Sequence, residues 1–325
     1  MKDQKLVCGV DVSKNTLDLY FNDQLGKEHY LRVSNDQKGY STVIEKLGTG
    51  RTYIMESTGP YYLSFAFVLH QSGARVRVEN PISIKRFIQM HLERNKSDKK
   101  DARWLYRYGV EREGSLWCPP CEESLKCSQI MALIDLYTRQ KTQLSNQLHS
   151  LGQLPLTDKS LVKSIESTKA NLTREITKLE KQLYNLLSTW QGRQLKNLST
   201  IPGLGKRAVS LLIVYTNGFK KIKNHRQLIA LAGLAPREYT SGTSIKGRRG
   251  ICKMGNGYLR NVLYMCSLSA IKYNTACKEL YERLKAKGKR SKVALIAVCN
   301  KLLKQAFAIA TKETSYQPNY KSSLR

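Results

Sequence analysis

The sequence predicts an α/β domain followed by a mainly helical region, an α/β plus all-α architecture. Short apolar runs alternate with amphipathic stretches over the first hundred residues, which is the pattern of a mixed α/β sheet. Beyond residue 123, apolar positions recur at helical spacing over long stretches. At 325 residues, the chain is long enough for two or three modules with their own cores.

The N-terminal domain is predicted to span residues 1–112 and to begin with three strands in succession. Gly48 and Gly73 are expected to end its first two helices, and Ser97 is a candidate N-cap for its last helix. Five strands are expected, at residues 5–12, 16–22, 28–34, 51–56 and 75–79. Four helices are expected, at residues 36–47, 60–73, 81–92 and 98–108.

A helical linker is predicted over residues 113–192. Pro119 and Pro120 indicate that it starts as an extended segment. The apolar spacing then favours a helical hairpin or a coiled coil between protomers, and a plain spacer and a dimerisation element both stay open. The two long helical patterns cover residues 124–151 and 156–187.

The charge of the chain points to a polyanionic partner. Lys and Arg number 55 against 25 Asp and Glu, a formal net charge of +30 at pH 7. Residues 201–325, most of the predicted C-terminal domain (193–325), carry 25 basic and 4 acidic side chains, a charge of +21. Nucleic acid is the partner that best explains such an excess.

The sequence also bears on the compartment. No apolar run has the length of a membrane span, and the N-terminus lacks the apolar block of a signal peptide. The eight cysteines are mostly expected as small buried hydrophobes in a reducing environment. A cytoplasmic protein is therefore expected, associated with the prokaryotic nucleoid when it acts and with no membrane partner.

Four carboxylates form the first candidate site. Asp11 ends the first predicted strand, Glu56 ends the fourth, and Asp98 and Asp101 are three residues apart on one helix face. Acids at adjacent strand ends with two more from a nearby helix could bind one or two Mg²⁺ ions, which prefer oxygen ligands. Any one of these acids could be an ordinary surface charge, but all four fall where an RNase H-like sheet would bring them together. Asp18 lies further along strand two and is expected to be structural.

A helix-hairpin-helix pattern is the second candidate. Pro202-Gly203-Leu204-Gly205 is followed by a helix that begins with Lys206 and Arg207. Backbone N–H groups at such a helix start can bind a phosphate without reading sequence. An ordinary connection between two helices explains the pattern equally well.

A hydroxyl-rich, glycine-punctuated basic loop is the third candidate. A hydroxyl in it could be a nucleophile whose target phosphate is held by the neighbouring cations, or the loop could only contact phosphate. Spacing does not choose among Tyr239, Thr240, Ser241, Thr243 and Ser244.

Basic side chains that could bind nucleic acid recur through the C-terminal domain, including a loop at 284–292 with five cations and no acid. They are Lys206, Arg207, Lys246, Arg248, Arg249, Lys253, Arg260, Lys287, Lys289, Arg290 and Lys292.

Short motifs along nearly the whole chain resemble one family, the DEDD-type insertion-sequence transposases. This family includes bridge-RNA-guided recombinases and Piv-type DNA invertases. Each motif is short, but their joint order and spacing is very specific. The motifs lie at residues 9–14, 17–18, 56–61, 78–81, 95–102, 201–205, 231–236, 241–244, 253–256 and 259–260.

The resemblance implies a fold and a reaction. It implies an RNase H/RuvC-like N-terminal domain whose Asp11, Glu56, Asp98 and Asp101 bind Mg²⁺. It implies a helical linker that helps to assemble dimers or tetramers. It further implies a C-terminal transposase domain whose serine, Ser241 in this chain, attacks a DNA phosphate and becomes transiently joined to the DNA.

The resulting hypothesis is site-specific strand exchange between donor and target double-stranded DNA through a phosphoserine, guided by a structured non-coding RNA. Three alternatives stay open. One is a Mg²⁺-dependent nuclease, similar to a Holliday-junction resolvase, in which water replaces the serine. Another is an RNA-independent invertase of the Piv type. The third is a non-catalytic nucleic-acid-binding protein.

Overall fold

The computed structural model describes residues 6–93, 97–220, 222–237, 240–241, 245–246 and 250–318, with the backbone alone at 240–241 and 245–246. The chain divides into two compact units that meet in sequence at Pro119 and Pro120. Each unit has its own hydrophobic core.

A five-stranded mixed sheet forms the centre of the first unit. Its strands are β1 (Val7–Val12), β2 (Thr16–Asn22), β3 (Glu28–Ser34), β4 (Thr52–Glu56) and β5 (Arg75–Glu79). Their spatial order is β3-β2-β1-β4-β5. The first three strands pair antiparallel, whereas β4 and β5 run parallel to β1. This confirms the predicted mixed α/β class of the N-terminal domain.

Helices cover both faces of this sheet, and the predicted caps at Gly48 and Ser97 are confirmed. The helices are α1 (Gln37–Leu47), α2 (Tyr62–Gln71), α3 (Pro81–Met90) and α4 (Asp98–Glu111). The Ser97 side chain accepts a hydrogen bond from the Lys100 backbone N–H, as an N-cap should. Helix α1 ends at Gly48, which has a φ of 70°. Side chains of α1 and α2 pack on one face, and those of α3 and α4 on the other.

The close approach of α4 to β1 depends on one residue without a side chain. A Cβ on Gly9 would lie 2.1 Å from the Tyr106 backbone nitrogen and 2.2 Å from the Ala102 carbonyl oxygen. Glycine at this position therefore lets the helix backbone rest directly on the strand. This contact fixes α4 beside the strand that carries Asp11.

The second unit is mainly helical, as predicted. Its helices are α5 (Glu122–Leu151), α6 (Lys159–Ser199), α7 (Lys206–Tyr215), α8 (His225–Leu231), α9 (Gly257–Tyr273), α10 (Thr275–Ala286) and α11 (Ser291–Lys312). Helices α5 and α6 pack on each other, and α6 also packs on α7 and α11. Helix α6 is kinked at Gln191, close to the predicted linker boundary at 192. A separate linker domain stays a prediction.

Helix α11 lies at the centre of this unit. It is long and apolar enough to cross a membrane by composition, but half of its most apolar window is buried inside the unit. Leu302, Leu303 and Ala306 are fully buried. Burial also raises the pKa of the Cys299 thiol to about 12, so this cysteine acts as a small apolar core residue, as expected.

Two pairs of very short strands interrupt the helices between α8 and α9. Strand β6 (Pro236–Arg237) pairs with β9 (Gly250–Ile251), and β7 (Thr240–Ser241) pairs with β8 (Ile245–Lys246), both antiparallel. We call residues 236–251 the serine arm.

Candidate functional site

The acid site begins at the carboxyl ends of two neighbouring parallel strands. Val10 of β1 is in register with Met55 of β4, so Asp11 and Glu56 come next on their strands at the same edge of the sheet. Helix α4 supplies Asp98 and Asp101 from its first turn. Asp11, Glu56 and Asp101 line one cavity of about 410 Å³.

The electrostatics of Asp11 reflect this crowding. Burial is the largest cause that raises the pKa of the Asp11 carboxyl, followed by the charges of Asp101, Asp98 and Glu56, and together they bring it to about 7. A carboxyl with that pKa is only partly ionised at neutral pH. A bound cation would favour its ionised form.

The four carboxylates of the acid site have the donor chemistry that a divalent cation needs. Carboxylate oxygens are the ligands that Mg²⁺ takes, and mutual repulsion among these acids creates a demand for positive charge. Within the part of the chain that the structure describes, however, no three His, Cys, Asp or Glu side chains are grouped closely enough to hold an ion. The donor chemistry therefore fits the metal, whereas the conformation does not yet gather the ligands.

Asp98 is one of the ligands that are not gathered, because its carboxylate is bound to another residue. Its Oδ2 is 2.9 Å from Nη2 of Arg32, a residue of β3. Nε of the same guanidinium is 2.8 Å from Oδ1 of Asp18, which is only 1% exposed. Tyr30 also donates its hydroxyl to Asp18. Asp18 is thus a buried, ion-paired residue, in line with the structural role expected for it.

Sequence reasoning missed two residues of this region. Lys85 of α3 lines the same cavity as Asp11 and Glu56. Arg32, on strand β3, forms an ion pair with Asp98 of α4. Lys85 lies near the start of α3, the helix that follows β5, and this position in the sequence could have indicated that it lies near the acid site. Arg32 carried no such signal, because its contact with Asp98 joins residues 66 positions apart.

The serine arm stands on a tightly packed base. The Cys252 N–H donates to the Ala235 carbonyl (2.8 Å) and the Lys253 N–H to the Gly233 carbonyl (3.0 Å). Lys253 has a left-handed φ of 57°. Nη1 of Arg260 donates to the Ala232 carbonyl at 3.0 Å. Lys253 and Arg260, both predicted to bind nucleic acid, therefore lie where the arm leaves the helical core.

The predicted nucleophile itself is described only by its backbone. Ser241 pairs with Ile245 in the β7–β8 hairpin, whose next pair is Thr240 with Lys246. The side chains of Ser241 and Lys246 lie outside the description. Arg248 and Arg249 lie outside the described residues altogether, as do the other hydroxyl candidates Tyr239, Thr243 and Ser244.

In the predicted helix-hairpin-helix segment, Arg207 is hydrogen-bonded within the protein. Gly203 has a φ of 97° before α7, as a tight turn requires. Nε of Arg207 donates to the Tyr258 hydroxyl at 2.6 Å, and its Nη2 lies 3.3 Å from Oγ1 of Thr138. Arg207 thus links three helices. Lys206 is exposed, and its ammonium lies over the Tyr184 ring.

The turn between α10 and α11 carries several exposed cations. Gly288 gives it a left-handed bend, with a φ of 71°. The residues predicted to bind phosphate here are all exposed: Lys287, Lys289, Arg290 and Lys292.

Comparison with known proteins places the chain among transposases. A DEDD domain model of IS110 elements, described as "Transposase", matches residues 8–155. A second model, described as "Transposase IS116/IS110/IS902 family", matches residues 195–282. The chain belongs to this IS110 family of transposases and is by class a DNA transposase or recombinase.

Individual relatives extend over almost the whole chain. The pilin gene-inverting protein of Moraxella bovis is 28% identical, over 94% of this chain and 95% of its own length. The transposase for insertion sequence element IS1328 of Yersinia enterocolitica is 23% identical, over 95% and 98%. Among solved structures, T. thermophilus RuvC in complex with a Holliday junction substrate matches with 16% identity and a TM-score of 0.26, over 33% of this chain and 97% of RuvC.

Proposed function

We propose that this protein exchanges DNA strands at specific sites through a transient phosphoserine on Ser241, with help from the acid site of the first unit. The observation that carries the proposal is the half-buried Asp11, whose pKa is raised to about 7 among three further carboxylates. Such a cluster is costly unless a cation compensates it. A metal-assisted reaction on a phosphate makes use of that arrangement.

The chemistry assigned to each group balances without an external energy source. The Ser241 Oγ forms a bond to phosphorus, the bond from phosphorus to a deoxyribose oxygen breaks, and the freed sugar leaves as a hydroxyl. A hydroxyl of another strand then reverses the step and releases the serine. Asp11, Glu56, Asp98 and Asp101 would hold one or two divalent ions, for which we propose Mg²⁺. When bound, such an ion polarises the phosphate and lowers the pKa of a nearby hydroxyl.

Nucleic acid contacts are proposed for the basic surface. The exposed cations of the α10–α11 turn would follow a phosphate backbone. Lys85, which lines the acid cavity, would contact the phosphate next to the scissile one. A structured non-coding RNA is proposed as a second ligand, supported by the family resemblance and by a charge of +30. Action as a dimer or tetramer is proposed on the same resemblance.

The serine assignment is tested by strand exchange between two DNA duplexes, in the presence of the RNA that co-purifies with the protein. Ser241→Ala should abolish both exchange and the covalent protein–DNA adduct. Ser244→Ala, a matched control in the same arm, should retain both. Loss of activity in the control with full activity in Ser241→Ala would transfer the role to the other hydroxyl.

Inversion of a DNA segment is the second candidate outcome of the same chemistry. The relatives named as pilin gene-inverting proteins favour it, because their similarity spans nearly the whole chain. A substrate with two recombination sites in inverted orientation distinguishes the outcomes. Inversion retains the segment between the sites, whereas transposition transfers it to another molecule.

A further inference from the structure

Three cations join the first turns of α4 to the edge of the sheet. The Lys99 ammonium lies 5.1 Å from the centre of the Tyr30 ring. Arg103 Nη2 is 3.4 Å from a Glu28 oxygen. Arg32 differs from these two because its partner on α4 is Asp98, one of the four acids of the proposed metal site.

The two ends of the Arg32 guanidinium have very different environments. Toward the sheet it pairs with Asp18, which is 1% exposed and needs a counter-charge. Toward α4 it pairs with Asp98, whose side chain is 62% exposed, and an ion pair in that environment is weak. The end at Asp18 is therefore a firm anchor, and the end at Asp98 can be exchanged.

The position of Asp98 fits such an exchange. Asp11, Glu56 and Asp101 line the acid cavity, while Asp98 is not one of the described residues that line it. Asp98 is nevertheless close enough for its charge to act on Asp11. A change in its side-chain partner could bring its carboxylate from Arg32 to the shared site.

We propose that Arg32 is a positioning residue that holds Asp98 outside the acid cavity until a divalent cation takes this carboxylate. The inference rests on the metal role proposed above. Because Asp18 keeps the guanidinium in place, Arg32 remains available to take Asp98 back when the cation leaves. Arg32 thus competes with the metal for its fourth carboxylate.

The test is calorimetric titration of the full-length protein with Mn²⁺ and with Mg²⁺, without DNA. Arg32→Gln, Asp98→Asn and the double variant are made in the wild-type chain to complete a double-mutant cycle. Arg32→Gln is repeated on an Asp18→Asn background, which shows whether an unpaired charge on the buried Asp18 affects metal binding. Lys99→Gln is the control, since it removes a nearby cation that does not bind Asp98.

Arg32→Gln should tighten metal binding about fivefold, the effect of removing a competing exposed ion pair. The loss of affinity caused by Asp98→Asn should be about fivefold larger without Arg32 than with it. Lys99→Gln should tighten binding less and leave the effect of Asp98→Asn unchanged.

Two results would overturn the role of Arg32 but not the metal role of the acid site. One is additive effects of Arg32→Gln and Asp98→Asn, and the other is equal tightening of metal binding by Lys99→Gln and Arg32→Gln. Metal binding by the wild type would then still support the acid site. If the wild-type chain binds neither ion at millimolar concentration, the metal role fails and the role of Arg32 fails with it.

Discussion

Asp11 shows how one residue can set the electrostatics of a site. Its place at the end of β1 brings it next to Glu56, and α4 adds two more carboxylates. The sequence predicted these four acids, because strand ends and an i, i+3 spacing are local features. It did not predict that Arg32 would bind Asp98, because that contact depends on the register of β3 and on where α4 lies against it.

Asp11→Asn tests the raised pKa of this carboxyl. In the unfolded chain the Asp11 pKa is the usual 3.8, and in the folded protein it is about 7. The stability linked to this group is therefore fully present below pH 4 and is lost as the pH rises through 7. At pH 8 in a chelator, Asp11→Asn should be more stable than the wild type by roughly 1–2 kcal/mol, after allowance for solvent screening.

The measurement is urea unfolding of both proteins at pH 5 and pH 8. The difference between them should shrink at pH 5, because the Asp11 carboxyl of the folded wild type is then mostly protonated and uncharged. Added Mg²⁺ should reverse the order at pH 8 by stabilising the wild type. An Asp11→Asn advantage of the same size at both pH values would contradict the raised pKa.

At the scale of elements, the docking of α4 on β1 decides whether the acid site forms. The sequence predicted both elements, together with the Ser97 cap, from local signals. Their contact through Gly9 was not predictable, since a glycine in a strand does not reveal which backbone will approach it. The same holds for the serine arm, which the sequence predicted as a loop and which has two short strand pairs.

Gly9→Ala should displace α4. The new Cβ would lie about 2 Å from backbone atoms of Tyr106 and Ala102, which cannot move without the helix. We expect a loss of about 2–4 kcal/mol in the free energy of unfolding, measured by urea denaturation. Gly50→Ala is the control, because nothing lies within 4 Å of its added Cβ. Equal stability of the two variants would show that α4 does not rest on Gly9.

At the scale of the whole molecule, positive charge is concentrated in the second unit. The sequence count places +21 in residues 201–325, and the structure exposes four of these cations in the α10–α11 turn. Arg207 is an exception that composition could not reveal, because its guanidinium is hydrogen-bonded to Tyr258 and Thr138. The charge count therefore predicts that the second unit has a positively charged surface, but it does not predict the role of each cation.

Neutralising the turn should weaken nucleic acid binding. The variant with Lys287, Lys289, Arg290 and Lys292 changed to Gln should bind duplex DNA with a salt slope reduced by about 3.6 units if each cation contacts one phosphate. The slope is measured by fluorescence anisotropy from about 50 to about 300 mM salt. The control changes four exposed cations of α6 to Gln, namely Lys159, Lys163, Arg174 and Lys178. A larger loss in the control would move the binding surface to α6.

Mass spectrometry of a trapped adduct tests most directly whether the second unit joins DNA covalently through Ser241, as we propose. The protein is incubated with Mg²⁺, its co-purifying RNA and a nicked DNA substrate, then denatured and digested with nuclease and protease. We predict a nucleotide-modified peptide whose modification maps to Ser241 and which Asp11→Asn abolishes. Strand exchange without any such peptide, or with the nucleotide on another residue, would contradict the account.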